Sequence, residues 1–422
     1  MADRRDSKNR KLNKGEYQKS DGRYAYRYTD GYGQERWVYS WTLTSSDTPP
    51  EGKERGKCLR DLEREILRSL LDRVDSFEAE KATLNERFDI YMDMKSGLRE
   101  TTRVHYRYFW NKFIADSFGK RRIADIRYSD VVRFLNQLLD RQGMKINTVR
   151  QLYNLIRPVL TTAVCDELIR KNPADGALKA VLKNRKDRQE KRHALTEEQQ
   201  DAFITFVRDV PKYRRWYRLF IFLLGTGCRI GEARGLTWND CDFERRIIFI
   251  NRQVNYYRGE DEEKYCEHIA DPKSECGIRE IPMFDPVRNV LLEEQSCQVS
   301  AGWEEKRIGN VSGFIFRTRN GGCIDSRNVD GAIYRLIENY NKKETEHALQ
   351  TGRDPLLLPK FSVHNLRHTF CTRMCENETN LKVIQEIMGH ADISTTMNIY
   401  NEAMTKVKVK SFEHLEGKIV RA

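Results

Sequence analysis

Apolar and polar residues alternate with a period of two near the N-terminus, in the stretch RYAYRYT at residues 23–29. This alternation predicts a β-strand with tyrosines on one face and arginines on the other. A DG pair then predicts a turn, and the run Trp37 to Leu43 predicts the returning strand of a hairpin. The pattern from about Cys58 to Val74 predicts an amphipathic helix. Residues 1–75 are therefore expected to form a small module with a three-stranded sheet and one helix.

The face of this sheet that lies opposite the tyrosines carries Arg23 and Arg27, and the returning strand adds Tyr39 and Trp41 to it. Two interpretations of the face stay open. It is either a solvated surface, or a sheet that lies in the major groove of DNA, as the sheets of some β-ribbon proteins do.

Apolar positions repeat with a helical period from about residue 82 to 182, where four or five helices are expected to form a compact bundle. Pro158 lies inside one of these patterns and is expected to kink or interrupt the helix. Residues 183–192 follow, with six Lys and Arg against two acids and no apolar periodicity. This run predicts either a solvated tether or a basic linker that contacts a DNA backbone, with Lys186 and Arg188 as candidate contacts.

The stretch 193–403 mixes two kinds of pattern, and a tail of residues 404–422 follows it. Helical patterns dominate, at 197–209, 213–224, 326–341, 364–376 and 381–388. Short strand-like runs lie at 246–252, 278–283 and 313–316. The mixture favours a helix-rich α+β domain over a βαβ alternation. The whole chain is thus expected to be multidomain and mainly α-helical.

The composition indicates what kind of molecule the chain binds. The 422 residues include 75 Lys and Arg against 63 Asp and Glu, for a formal net charge of +12, so a polyanion is expected. The longest apolar run, Leu219 to Leu224, is far too short to span a bilayer, and no secretory leader is evident.

The ten cysteines are scattered without a disulfide framework, which predicts reduced thiols and a cytoplasmic protein. Cys266, His268 and Cys276 could each donate to zinc. Because they lack a fourth ligand at zinc-ribbon or zinc-finger spacing, no zinc site is expected.

Four local motifs in the last domain contain candidate catalytic residues. They are TGCRIGE at 226–232, HNLRHTF at 364–370, MGH ending at His390, and Tyr400 in the polar segment STTMNIYN. The second motif places His364 and Arg367 one helical turn apart on one face. Each motif alone is weak, because an arginine near a helix start is usually a surface charge and a tyrosine in a polar segment is usually half-buried.

In this order and spacing, the four motifs resemble the tyrosine recombinases, the phage-type integrases. The region 82–182 resembles the core-binding domain of that family, and 193–403 resembles its catalytic domain. The module at 1–75 is similar to the arm-binding domain of integrases from conjugative transposons. The resemblance implies catalytic roles for Arg229, His364, Arg367 and His390, the role of nucleophile for Tyr400, and a supporting role for Glu232 beside the first arginine.

The family places a catalytic lysine on a β-hairpin between these motifs. Lys273, in ADPKSECGIREIPM, matches best, since a short turn and a strand ending in Ile-Pro follow it. Lys264 stays open as an alternative. The residues that follow Lys273, Ser-Glu-Cys, depart from the usual neighbourhood.

These residue types suit phosphodiester transfer. Two arginines can donate paired hydrogen bonds to the non-bridging oxygens, where charge gathers in the transition state. Tyrosine has a reference pKa of ~10, so its proton must leave during attack, and nearby imidazoles can assist. A lysine can protonate the leaving 5′ oxygen. The sequence shows no P-loop and no carboxylate pair for two metal ions, so no cofactor is expected.

The resemblance implies a site-specific DNA recombinase that integrates and excises a mobile element, a conjugative transposon, through a 3′-phosphotyrosine intermediate. It also implies double-stranded DNA with core and arm sites, a homo-tetramer on that DNA, an excisionase and a host DNA-bending protein. Two alternatives stay open. One is a type IB topoisomerase-like enzyme, and the other is a DNA-binding regulator that does not cleave.

Overall fold

The structure is a computed structural model, and the chain divides into two compact units, Met1–Arg188 and Gln189–Ala422. The residues that it describes are 4–29, 33–54, 56–71, 81–183, 185, 193–260, 262–272, 274–302, 307–318, 321–378 and 380–401. Among these residues, no helix combines the length and the apolar character needed to cross a membrane.

The N-terminal part of the first unit is an antiparallel sheet with one helix. Its strands are β1 (Glu16–Gln18), β2 (Tyr24–Thr29) and β3 (Glu35–Ser40), in the order β1-β2-β3, and the helix is α1 (Leu59–Leu71). Tyr24 and Tyr26 are buried with Leu43 and Leu59, so the tyrosine face of the alternation forms the core against the helix. The predicted DG turn lies outside the described residues.

The remainder of the first unit is helical. Its helices are α2 (Leu84–Met94), α3 (Glu100–Phe113), α4 (Tyr128–Asp140), α5 (Ile146–Cys165) and α6 (Ala177–Leu182). Trp110 anchors the bundle: its ring stacks on Phe88 at 3.9 Å, and its indole N–H donates to the Asn85 side-chain oxygen at 2.9 Å. Pro158 does not interrupt α5. Its neighbours Ile156 and Val159 are fully buried, and this packing offsets the hydrogen bond that a proline removes.

The helices of the second unit pack mainly around one hydrophobic core. They are α7 (Glu197–Asp209), α8 (Pro211–Arg214), α9 (Tyr217–Thr226), α10 (Ile230–Gly235), α11 (Asp285–Ser300), α12 (Ser326–Thr351), α13 (Val363–Asn377) and α14 (Leu381–Met388). A further helix, α15, occupies residues 393–401, at the end of the described part of the chain. Phe203, Phe220 and Phe222 are fully buried at the centre of the core.

Two small sheets complete this unit. β4 (Cys241–Asp242), β5 (Ile247–Ile250) and β8 (Arg279–Pro282) form an antiparallel sheet in the order β4-β5-β8. β6 (Gln253–Tyr257) and β7 (Cys266–Ala270) form a separate hairpin. The region 313–316, predicted as a strand, contributes only an isolated bridge between Phe314 and Thr237. This helix-rich α+β arrangement agrees with the fold class expected from the sequence.

Candidate active site

The turn between α9 and α10 places Arg229 at the start of a helix. Gly227 has a left-handed φ of 63° and ends α9, with a backbone N–H that donates to Leu223. A side chain at this glycine would begin 2.3 Å from the ring of Phe370, so the turn requires glycine for both its conformation and its close approach. Arg229 is the residue that precedes α10, which directs its side chain back over Glu232.

Glu232 is the buried carboxylate of the site, with 3% of its surface exposed. It accepts hydrogen bonds from the backbone N–H of Arg229 at 2.9 Å and from the Arg229 guanidinium at 2.6 Å. Burial alone would raise its pKa, but the neighbouring Arg279, Arg229 and Arg367 outweigh that cost and lower the pKa to about 2. Glu232 is therefore ionised and holds Arg229 in place.

Arg279, at the start of β8, is a site residue that the sequence analysis missed. It donates to Glu232 at 2.8 Å and to the carbonyl of Ile387 at 2.7 Å, and it is 9% exposed. Its strand alternates buried Arg279 and Ile281 with exposed Glu280 and Pro282. The sequence signal that could have found it is its position two residues before Ile281, on the same face of a strand.

Arg367 projects from α13 into the same region and is 4% exposed. Its guanidinium donates to the carbonyl of Gly227 at 2.6 Å and to that of Met388 at 2.5 Å. Burial and the nearby charge of Arg229 lower its pKa to about 10, so it stays charged at neutral pH. The two arginines predicted to be catalytic therefore meet at the turn after α9.

His390 follows α14 and Gly389, and it is 7% exposed. Its Nδ1 lies 2.9 Å from the hydroxyl oxygen of Thr396, and the carbonyl of Gly389 accepts a hydrogen bond from Arg229 at 3.2 Å. Burial, then the charges of Arg367 and Arg229, lower the pKa of His390 to about 4. The imidazole is therefore neutral at pH 7 and has one N–H to donate.

His364 and Tyr400 occupy the remaining predicted positions. His364 is exposed on the first turn of α13, and its charge helps to lower the pKa of His390, so the two imidazoles are within electrostatic reach of each other. Tyr400 is half-buried on α15, where it packs against a cluster that includes Phe370 and Met388. It lies one helical turn beyond Thr396, the residue that contacts His390.

The structure describes one of the two candidate lysines. Lys273 lies outside the described residues. Lys264 is exposed in the connection between β6 and β7. The linker candidates Lys186 and Arg188, and the tail 404–422, also lie outside the described part of the chain.

The β2–β3 surface of the N-terminal module brings together the four residues predicted for it. The Arg23 guanidinium lies 5.4 Å from the ring of Tyr39 and 5.7 Å from that of Trp41. Arg27 pairs across the strands with Trp37, which the sequence analysis did not single out, at 5.9 Å. Alternating arginines and aromatic rings thus share one face, where cation–π contacts hold the guanidinium groups in position.

Comparison with known proteins agrees with this fold, which is that of a tyrosine recombinase. Residues 193–406 match the phage integrase family, residues 1–70 match the DNA binding domain of Tn916 integrase, and residues 83–139 match the phage integrase N-terminal SAM-like domain. The chain belongs to the phage integrase family. This membership confirms the predicted fold class, enzyme class and recombinase function.

The relatives include transposon proteins that align with nearly the whole chain. The chain is 31% identical over 434 residues to the transposase from transposon Tn916 of Enterococcus faecalis and to that from Tn1545 of Streptococcus pneumoniae, and each alignment covers 99% of both proteins. Among solved structures, it is similar to the Tn1549 transposon integrase in complex with transposon right end DNA. That match has 28% identity and a TM-score of 0.67, and it covers 79% of this chain and 100% of the other.

Proposed function

We propose that this chain integrates and excises a conjugative transposon by cutting and rejoining DNA through a covalent bond to Tyr400. The observation that carries the proposal is the convergence of Arg229, Arg367 and His390 around buried Glu232, in a domain of the phage integrase family. The similar Tn1549 integrase was solved in complex with transposon end DNA, which supports DNA as the substrate.

The charge balance of the site favours a phosphate. Three guanidinium groups, those of Arg229, Arg279 and Arg367, surround the carboxylate of Glu232. The excess positive charge is held in place before any substrate arrives, so little reorganisation is needed when charge develops on a phosphate. Arg229 is the most exposed member of the set, with 35% of its side chain accessible, and we assign it the first contact with a non-bridging oxygen.

The remaining residues of the site serve as nucleophile, as proton donors and acceptors, and as a hydrogen-bond donor to the phosphate. Tyr400 attacks the phosphorus, and its proton leaves with the help of His364, while neutral His390 donates a hydrogen bond to the phosphate. Lys273 protonates the 5′ oxygen as it leaves, with Lys264 as the alternative. The products are a 3′-phosphotyrosyl link and a free 5′ hydroxyl. A 5′ hydroxyl from a second duplex then attacks the link and releases the tyrosine.

The other parts of the chain serve DNA binding in this proposal. Residues 1–75 bind arm sites, 82–182 and the catalytic domain at 193–403 bind core sites, and the basic linker at 183–192 contacts a DNA backbone. Four copies act together on DNA in the bacterial cytoplasm, with an excisionase and a host DNA-bending protein as partners. The basic and aromatic face around Arg23 and Trp41 supports the first of these assignments.

A nicked, labelled duplex that carries a transposon end tests the proposal. The wild-type protein should form a DNA adduct that survives denaturation, and Tyr400→Phe should not. Transfer of the cut strand to a second duplex separates a recombinase from a topoisomerase, which only reseals the original strand. A protein that binds the duplex and never forms the adduct would be a regulator without cleavage activity.

A further inference from the structure

The hairpin formed by β6 and β7 carries a cluster of three potential metal ligands outside the recombinase site. The Glu262 carboxylate, the Cys266 thiol and the His268 imidazole place one donor atom each within 4.8 Å of one another. His268 Nε2 lies 3.3 Å from Cys266 Sγ and 3.1 Å from Glu262 Oε2. Cys276, which the sequence analysis grouped with Cys266 and His268, is not a member of this cluster, and Glu262 takes its place.

A third polar group lies close to the same ring nitrogen. The carbonyl oxygen of Tyr257 is also 3.3 Å from His268 Nε2. Hydrogen bonds can join these groups, because the Cys266 thiol and one ring nitrogen can each donate a hydrogen. A cation is an alternative partner for all of them, because a thiolate, a neutral imidazole, a carboxylate and a carbonyl oxygen are all metal ligands.

We propose that Glu262, Cys266 and His268 bind a zinc ion that fastens the tip of the β6–β7 hairpin. Zinc bonds of ~2.0–2.3 Å in tetrahedral geometry place neighbouring ligand atoms ~3.3–3.6 Å apart. The observed separations of 3.3 and 3.1 Å approach those values. A thiolate with an imidazole selects zinc or a similar transition metal over Mg²⁺ or Ca²⁺, which prefer oxygen ligands. Water or the Tyr257 carbonyl supplies the fourth position.

Neighbouring groups already orient two of the ligands. The backbone N–H of Gly259 donates to Glu262 Oε2 at 2.8 Å, and the ring of His268 stacks on that of Tyr257 at 4.0 Å. In natural metal sites, such contacts to the ligand side chains fix the direction of the ligands and raise the affinity for the metal. Lys264 lies in the chain between two of the ligands, so zinc would also order the backbone around this alternative catalytic lysine.

Cobalt binding to the full-length protein tests the site, because Co²⁺ in a thiolate site gives a charge-transfer band that Zn²⁺ does not. After treatment with a chelator and dialysis, the wild type should bind one Co²⁺ per chain with this band, and Zn²⁺ should displace it. Cys266→Ser should lose the band. Cys297→Ser, which alters an exposed thiol on α11, should keep it. Glu262→Gln and His268→Gln should weaken binding at least ~10-fold.

Unfolding curves and tryptic cleavage separate a loss of zinc binding from a loss of folding. Unfolding curves of Cys266→Ser and wild type, both free of metal, should coincide, which excludes misfolding as the reason for lost binding. Zinc should slow tryptic cleavage after Lys264 several-fold in the wild type and not in Cys266→Ser. Absence of the cobalt band in the wild type, or a band of full intensity in Cys266→Ser, would overturn the proposal.

Discussion

Replacement of Glu232 by glutamine removes a buried negative charge at the centre of the site. The carboxylate binds Arg229 at 2.6 Å and Arg279 at 2.8 Å, and it is 3% exposed. Glutamine has nearly the same shape and can still accept a hydrogen bond. The variant therefore leaves the packing intact and leaves buried positive charge without a counter-ion.

The expected loss in the free energy of unfolding follows from the pKa of Glu232, which is lowered from 4.5 to about 2. At ~1.4 kcal/mol for each pKa unit, the ionised form contributes about 3 kcal/mol to the free energy of unfolding at pH 7. A carboxylate with a lowered folded-state pKa gives stability that is complete above its unfolded pKa. That stability is lost as the pH falls from 4.5 toward 2. The cost of Glu232→Gln should therefore shrink to about 1–1.5 kcal/mol at pH 3.

Hydrogen exchange in increasing urea measures this cost within the second unit, through peptides from α9 and α13. Glu280→Gln is the matched control, because Glu280 is an exposed carboxylate on the same strand as Arg279. The control should change the free energy of unfolding by less than about 0.5 kcal/mol. An equal cost for Glu232→Gln at pH 7 and pH 3, or no cost at either, would refute the electrostatic reasoning.

Four other predictions concern catalysis, pH and binding. Arg229→Lys and Arg367→Lys should bind DNA nearly as the wild type does in gel-shift assays but cleave it about 10²–10³-fold more slowly, because lysine cannot donate the paired hydrogen bonds. The buried neutral imidazole of His390 should cost stability as the pH falls from 6.5 toward 4, and His390→Asn should remove that part of the pH dependence in thermal unfolding. Gly227→Ala should lower the free energy of unfolding by about 2–5 kcal/mol, measured by urea denaturation, because of its left-handed φ and the contact with a phenyl ring. Removal of residues 1–75 should abolish footprints on arm DNA and spare core-site cleavage.

Each of these predictions has an opposing result. Equal losses of binding and cleavage in the lysine variants would assign those arginines to general DNA affinity. An unchanged pH profile in His390→Asn would mean that its imidazole is not the group that titrates. A stable Gly227→Ala would show that the turn can relax, and arm footprints without residues 1–75 would place arm binding elsewhere in the chain.

Local patterns predicted the parts of the fold that depend on local chemistry. The alternation from Tyr24 to Tyr28 identified a strand and its buried face because side chains on a strand alternate between two environments. The motif TGCRIGE placed Arg229 at a turn because Gly227 permits a left-handed residue there. Pro158 shows the limit of such reasoning, since burial on both sides of it outweighs a local preference against helix.

Contacts between distant segments could not be read from the sequence. Arg279 binds Glu232 across 47 positions of the chain, and no local pattern shows such a contact. Thr396 lies in a polar segment typical of a surface, yet it is fully buried beside His390. Glu262 lies in the connection that leads into β7, and its approach to His268 depends on the path of that connection.

Attack on DNA by Tyr400 can be tested by mass spectrometry of the trapped adduct. The wild-type adduct on a nicked transposon-end duplex would be digested with protease and nuclease, and the modified peptide sequenced. The expected product is a nucleotide linked through its 3′ phosphate to Tyr400, together with a free 5′ hydroxyl on the released strand. A link to another residue, a 5′-phosphoryl link, or no adduct at all would contradict it.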